Sequence, residues 1–191
     1  MSNRLETIIS YVDEGIGVAD VGTDHAYLPL MLVKRGYKGN IIATDINEGP
    51  LNKALVNLRE SYAEDKVKLI LCDGLSGCDP DDIDTVVIAG MGGDTITGIL
   101  DRTPWCDREG IKLVLQPVTK SEILRYWLIN NGFIITDESL CEENTTVYQI
   151  LCAKAGKPCR YSDSEIFVGK FEQIKEEKYE KYCNIASSIC P

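Results

Sequence analysis

The feature that most constrains this chain is a change of hydrophobic period that repeats along it. From residue 17 onward, short β-rich runs near 17–21, 40–45, 67–72, 84–89 and 111–116 alternate with helical patterns near 27–36, 50–63, 93–101 and 120–131. Strands separated by helices of this length form βαβ units, whose crossovers leave the strands parallel and cover both faces of the sheet. Two further runs, "GFIITDESLCEE" and "TTVYQILCAKA", follow with no helix between them and read as an antiparallel closing pair. The expected class is therefore α/β, with a mostly parallel seven-stranded sheet and an antiparallel closing strand.

Local punctuation agrees. "SNRLETIISYV" places Leu5, Ile8, Ile9 and Val12 at i, i+3, i+4, i+7, an amphipathic helix that Asn3 and Glu6 would open as a capping box. Gly49-Pro50 sets a proline in the first turn of the second helical stretch, Thr119 with Glu122 suits a capping box, and Gly132 suits a helix end. After about residue 156 the pattern changes: "GKPCRYSDS" reads as a connector and "FVGKFEQIKEEKYEKYCNIASSI" as a charged helix with Phe171, Ile174, Tyr182, Ile185 and Ile189 on one face. The expected organisation is one main domain, residues 1–156, and a short helical appendage, residues 157–191.

No apolar run approaches the roughly 20 residues of a membrane helix, and Arg4 and Glu6 interrupt the first apolar residues where a secretory segment would lie. The expected compartment is the cytoplasm, with no membrane partner. Eight cysteines, at 72, 78, 106, 141, 152, 159, 183 and 190, form no C-x-x-C pair, so they read as small hydrophobes rather than zinc ligands or a disulfide frame, and no metal is expected. The net charge of −10 disfavours non-specific attraction to a polyanion. A local basic face would have to come from Arg4, from Lys120 with Arg125, or from Lys154, Lys157 and Arg160.

In an open parallel sheet, ligands bind beyond the carboxyl ends of the strands, where the strand order reverses. Polar and glycine residues gather at those ends: "DVGTDH" after the first strand, Asp45 after the second, "CDG" after the third, "AGMGG" after the fourth and Gln116-Pro117 after the fifth. A dinucleotide fingerprint would need G-x-G-x-x-G after the first strand; "GIGVAD" has Asp20 in the third place and precedes the strand, so the match fails. The residues that do follow are acidic, Asp20 and Asp24 around Gly22. Carboxylates repel phosphate and suit a cationic amine. Asp45 is placed to accept from ribose hydroxyls, and Asp73 from an adenine amino group, with Cys72 and Leu75 beside the ring. Amine, ribose and adenine without phosphate describe S-adenosyl-L-methionine. Pro29 has no N–H to donate, so the helix should begin only at about 26–28, leaving residues 22–25 as a loop over the ligand.

With these residues in hand, the chain resembles the bacterial tRNA (adenine-22-N1)-methyltransferases. The resemblance runs over residues 3–156, through "NRLETIISYV", "ADVGTDHAYLPLML", "ATDINEGPL", "LCDGL", "DTVVIAGMGG", "LVLQP", "LRYWLINNGF" and "VYQILCAKAG", with "GTDHAYLP" and "IAGMGG" the most specific pieces. It implies a Rossmann-like class I methyltransferase fold, S-adenosyl-L-methionine as donor, and tRNA as substrate. Carried over by motif, the cofactor pocket comprises Asp20, Gly22, Asp24, His25, Asp45, Cys72, Asp73, Gly74, Ala89, Gly90, Met91, Gly92 and Gly93. The family's suspected catalytic carboxylate falls on Asp24, and Tyr27 beside it is the second catalytic candidate, for base or cofactor packing. Arg4, Gln116 and Pro117 are the substrate-side candidates. Family members carry a longer helical appendage than residues 157–191 provide.

Ring N1 of adenine already carries a lone pair, so positioning can supply much of the acceleration. Enzymes acting on the exocyclic amine commonly carry an N/D-P-P-Y motif after the fourth strand; "AGMGG" lacks those side chains and admits close backbone approach. Asp24 would stabilise charge developing on the ring or accept an N6 proton. The competing readings are a small-molecule or protein methyltransferase, a nicotinamide dehydrogenase and a non-catalytic binding protein.

Overall fold

A computed structural model describes residues 3–157 and 159–170. Helix α1 (Asn3–Ser10) precedes β1 (Gly17–Val21), α2 (Tyr27–Arg35), β2 (Asn40–Asp45), α3 (Glu48–Glu60), β3 (Lys68–Leu71), β4 (Thr85–Gly92), α4 (Gly93–Asp101), β5 (Lys112–Thr119), α5 (Ser121–Asn130), β6 (Phe133–Glu143), β7 (Thr146–Ala155) and α6 (Asp163–Val168). The seven strands form one sheet in the order β3-β2-β1-β4-β5-β7-β6. Strands β1 to β5 pair in parallel, and β7 pairs antiparallel with both β5 and β6. The expected closing pair is present, with β7 inserted beside β5.

Every residue of β1 is buried, as a central strand covered on both faces requires. Two apolar layers result. On one face Ala19, Val21, Ile88, Leu113 and Leu115 pack with Ile96, Leu100, Leu124 and Leu128 of α4 and α5. On the other, Val18, Ala43, Val87 and Val114 pack with Ile8 and Ile9 of α1, Leu28 and Leu32 of α2 and Leu58 of α3. Alternation along each strand thus sends odd and even residues to opposite helix layers.

Several local expectations change. Strands β4 and β5 run on through Gly92 and Thr119, so "AGMG" and Gln116-Pro117 lie within strands rather than after them. Thr119 and Glu122 form no capping box: Lys120 is the N-cap of α5, left-handed at φ 57° and without a side-chain cap. Asn3 is the first residue of α1, and its side-chain amide donates to the Glu142 carbonyl. Arg125, a candidate for a basic face, is fully buried. The apolar stripe expected from Phe171 to Ile189 lies outside the described residues.

Candidate functional site

The strand order reverses between β1 and β4, because the chain builds outward to β3 on one side and then crosses to β4 and β5 on the other. The carboxyl ends of β1, β2, β3, β4 and β5 therefore share one edge. Backbone bonds lock the loops there together: the Gly22 and Thr23 N–H groups both donate to the Thr44 carbonyl, and the Cys72 N–H donates to the Asp45 carbonyl. The Thr44 hydroxyl donates to the Gly74 carbonyl at 2.8 Å.

Asp20 and Asp45 are both buried at this edge. Burial pushes the Asp20 carboxyl up to about 6, the Thr23 hydroxyl that donates to its Oδ2 at 2.6 Å pulls it back, and the charge of Asp45 raises it further. Asp45 Oδ1 accepts the Asn47 N–H at 2.9 Å. Two carboxylates held this way make this edge electronegative, which suits amine and hydroxyl donors. Gly22 between them has φ 72°, and a Cβ there would stand 2.2 Å from Cε of Met91, so the β1 loop and the bulged end of β4 touch through this glycine.

The loop continues through two more left-handed residues, Asp24 at φ 50° and Ala26 at φ 57°. Non-glycine residues are rare in this region, and such strain gathers at functional sites. Ala26 caps α2, which begins at Tyr27 as Pro29 requires. Asp24 is exposed, with Oδ2 3.4 Å from His25 Nε2. The His25 and Tyr27 rings stack with centroids 5.3 Å apart, and Tyr27 is 56 % exposed. The His25 carbonyl accepts from Asn57 of α3, which ties the loop to the next helix.

At the end of β3, Cys72 is half-buried and its thiol bonds the Gly74 carbonyl. Asp73 is exposed and paired with Arg102 at 3.1 Å, a contact across 29 residues that no local pattern signals. Leu75, after the same turn, lies in the core at 1 % exposure. On the far side, Ala89, Gly90, Met91 and Gly92 border the edge and Gly93 starts α4. Arg4 reaches in from α1, and its Nη1 donates to Gln116 Oε1 at 2.7 Å. Pro117, also buried, follows Gln116 in β5. Thr23, Thr44 and Arg102, which bond Asp20, Gly74 and Asp73, complete the surroundings and were not legible as site residues. Among the described residues no group of three or more His, Cys, Asp or Glu could hold a metal ion, and no helix is long and apolar enough to cross a membrane.

Residues 1–151 match the methyltransferase domain family. The chain is similar to the tRNA (adenine(22)-N(1))-methyltransferase of Bacillus subtilis, 34 % identical over 158 residues, spanning 82 % of this chain and 66 % of that protein. A Streptococcus pneumoniae protein crystallised with S-adenosyl-L-methionine superposes with TM-score 0.90 at 34 % identity, covering 99 % of this chain and 89 % of its own. The M. capricolum TrmK structure with S-adenosyl-homocysteine gives TM-score 0.83 at 31 % identity, covering 99 % and 84 %. The chain belongs to the methyltransferase domain family and, within it, to the group of bacterial tRNA (adenine-22-N1)-methyltransferases.

Proposed function

We propose that this chain transfers the methyl group of S-adenosyl-L-methionine to ring N1 of adenine 22 in tRNA. The observation that carries the reading is the buried pair Asp20 and Asp45 on adjoining strand ends at the switch point, an acidic cradle that suits an amine and a ribose and repels a diphosphate. The donor, when bound, supplies an electrophilic methyl group on a sulfonium. Asp20 holds the cationic amine end, Asp45 accepts from ribose hydroxyls, and Asp73 accepts from the adenine amino group beside Cys72 and Gly74. The backbone of Gly22, His25 and residues 89–93 closes the pocket.

On the acceptor side, Asp24 stabilises positive charge on the adenine ring or takes an N6 proton, and the stacked Tyr27 lies next to it for packing against the base. Arg4, Gln116 and Pro117 bound the side from which the base enters. N1 is hidden in a paired base, so the target nucleotide must be unpaired or flipped out. In this reading the methyltransferase domain spans residues 1–156, and the reaction takes place in the cytoplasm.

Incubation with methyl-labelled donor and unmodified tRNA, followed by nucleoside analysis, tests the reading. The expected product is 1-methyladenosine, abolished when position 22 of the tRNA is no longer adenine. Label on the exocyclic amine, label only in metabolites or protein, or donor-product binding without transfer would each overturn it.

A further inference from the structure

The end of β4 departs from regular pairing at Gly90. Ala89 stands opposite Gln116 and Met91 opposite Pro117, with the register shifting between Ala89 and Met91, so Gly90 is an extra residue bulged out of the ladder. Pro117 has no N–H to give to β4. The Gly90 N–H instead donates to the side chain of Gln116, at 3.1 Å from Oε1.

Gln116 is fully buried, and its amide has only one workable orientation. Oε1 accepts from Gly90 and from Arg4 Nη1, while Nε2 donates to the Pro117 carbonyl at 2.9 Å. Rotating the amide by half a turn would aim Nε2 at two donors and Oε1 at an acceptor. Arg4 has two looser contacts besides: its guanidinium lies 5.3 Å from the centroid of the Tyr148 ring and its Nε lies 3.9 Å from the Glu143 carboxylate. The Arg4 Nε is itself buried without a hydrogen-bond partner. A Cβ placed on Gly90, whose φ is 79°, would find only Arg4 Nη1 within 4 Å. The outer face of Gly90 is thus open except where Arg4 borders it, while the next residue, Met91, rests on Gly22 of the β1 loop.

We infer that Arg4 and Gln116 are positioning residues, which fix the bulged Gly90 peptide and through it the Gly90-Met91 edge against which the acceptor base lines up with the methyl group. The inference rests on the methyl transfer proposed above. Arg4 links α1 to the site across 112 residues of sequence, and its net charge serves to orient one amide rather than to grip a phosphate. In-line transfer is sensitive to small displacements, so loosening this peptide lowers turnover without weakening substrate capture.

The test compares Arg4→Met, which keeps the stem over Tyr148 and removes the donors, with Arg4→Lys, which keeps one donor and the charge. Expected for Arg4→Met are a kcat about ten-fold lower, KM for tRNA and donor within about two-fold of the parent, and a Gly90 amide that exchanges with solvent about ten-fold faster by NMR. Arg4→Lys should recover kcat to within about three-fold of the parent. A raised KM for tRNA with kcat intact would overturn the inference by making Arg4 a direct RNA contact, and so would unchanged kcat and unchanged Gly90 exchange. Should Arg4→Met not fold, Arg4→Leu, which also lacks a donor, carries the same reading. If the parent chain transfers no methyl to tRNA, the proposed function falls, and Gly90 exchange alone then decides whether the Arg4 and Gln116 brace exists.

Discussion

The methyl carbon of Met91 occupies the space that a side chain at Gly22 would need, 2.2 Å from the ideal Cβ position. Gly22→Ala therefore meets two obstacles, a flexible one that Met91 can relieve by moving and a rigid one in φ 72°. The left-handed backbone alone costs an L-residue about 1–2 kcal/mol, or roughly 3–6 °C in Tm for a chain of this size. Affinity for S-adenosyl-homocysteine should fall about ten-fold or more as the loop shifts. Adding Met91→Ala should restore only the contact part. Calorimetry on both variants checks this, and a Gly22→Ala protein as stable and as tight as the parent would show that the two loops do not meet here.

Asp20 makes stability depend on pH in an uncommon direction. Its carboxyl is raised from 3.8 to about 6 in the folded protein, chiefly by burial, so between those values the folded state holds a proton that the unfolded chain has lost. The contribution of this group to stability is greatest below about pH 4, declines as pH rises and levels off above about pH 6, a total on the order of 3 kcal/mol. Asp20→Asn should consequently unfold at higher temperature than the parent above pH 6, with the advantage vanishing near pH 4. The same variant should bind the donor more weakly, because the charge facing its amine is gone. Thermal unfolding from pH 4 to 8, with and without S-adenosyl-homocysteine, measures both; an Asn variant less stable than the parent at pH 7.5 contradicts the burial argument.

Asp24→Asn separates chemistry from binding. Asp24 has φ 50°, a conformation that asparagine tolerates as well as aspartate, whereas alanine would confound loss of charge with backbone strain. Turnover should drop about a hundred-fold while affinity for S-adenosyl-homocysteine changes less than about three-fold. Unchanged turnover would remove this carboxylate from the reaction.

Glu138 should matter to folding more than its position suggests. Arg125 and Glu138 form an ion pair at 2.8 Å whose side chains are 0 % and 2 % exposed, with Gln149 also accepting from the guanidinium. Arg125 further donates to the Ile166 and Phe167 carbonyls, and the Lys170 N–H donates to Glu138, so the pair seats the segment after β7. Glu138→Ala leaves a buried charge uncompensated and should cost about 3–5 kcal/mol, whereas Arg125→Met with Glu138→Leu should recover much of it. In the double variant, limited proteolysis should cut residues 157–170 faster even where stability is regained. Equal protection there would show that the segment is held by other contacts.

Much of the site was legible because each βα junction places its loop at the carboxyl end of its strand whatever the strand order. That is why Asp20, Asp45 and Gly90 near the ends of their strands, and Asp73 in the loop after β3, could be assigned to one edge from spacing, and why the start of α2 followed from Pro29 having no N–H. The side chain of Leu75 turns into the core, a direction that sequence spacing, which gives only the loop, does not supply. The Thr119 and Glu122 box failed for a related reason: Lys120 adopts a left-handed conformation where β5 meets α5, and local propensity yields to that packing.

By itself the sequence determined the alternation of elements, the class of sheet and the acidic chemistry of the strand ends, since these depend on neighbours a few residues apart. Tertiary structure alone decided which ends adjoin, that Arg125 is an internal ion rather than an RNA contact, and that Arg4 reaches Gln116. Such contacts join residues far apart in the chain through side-chain packing, and no local periodicity encodes the meeting point.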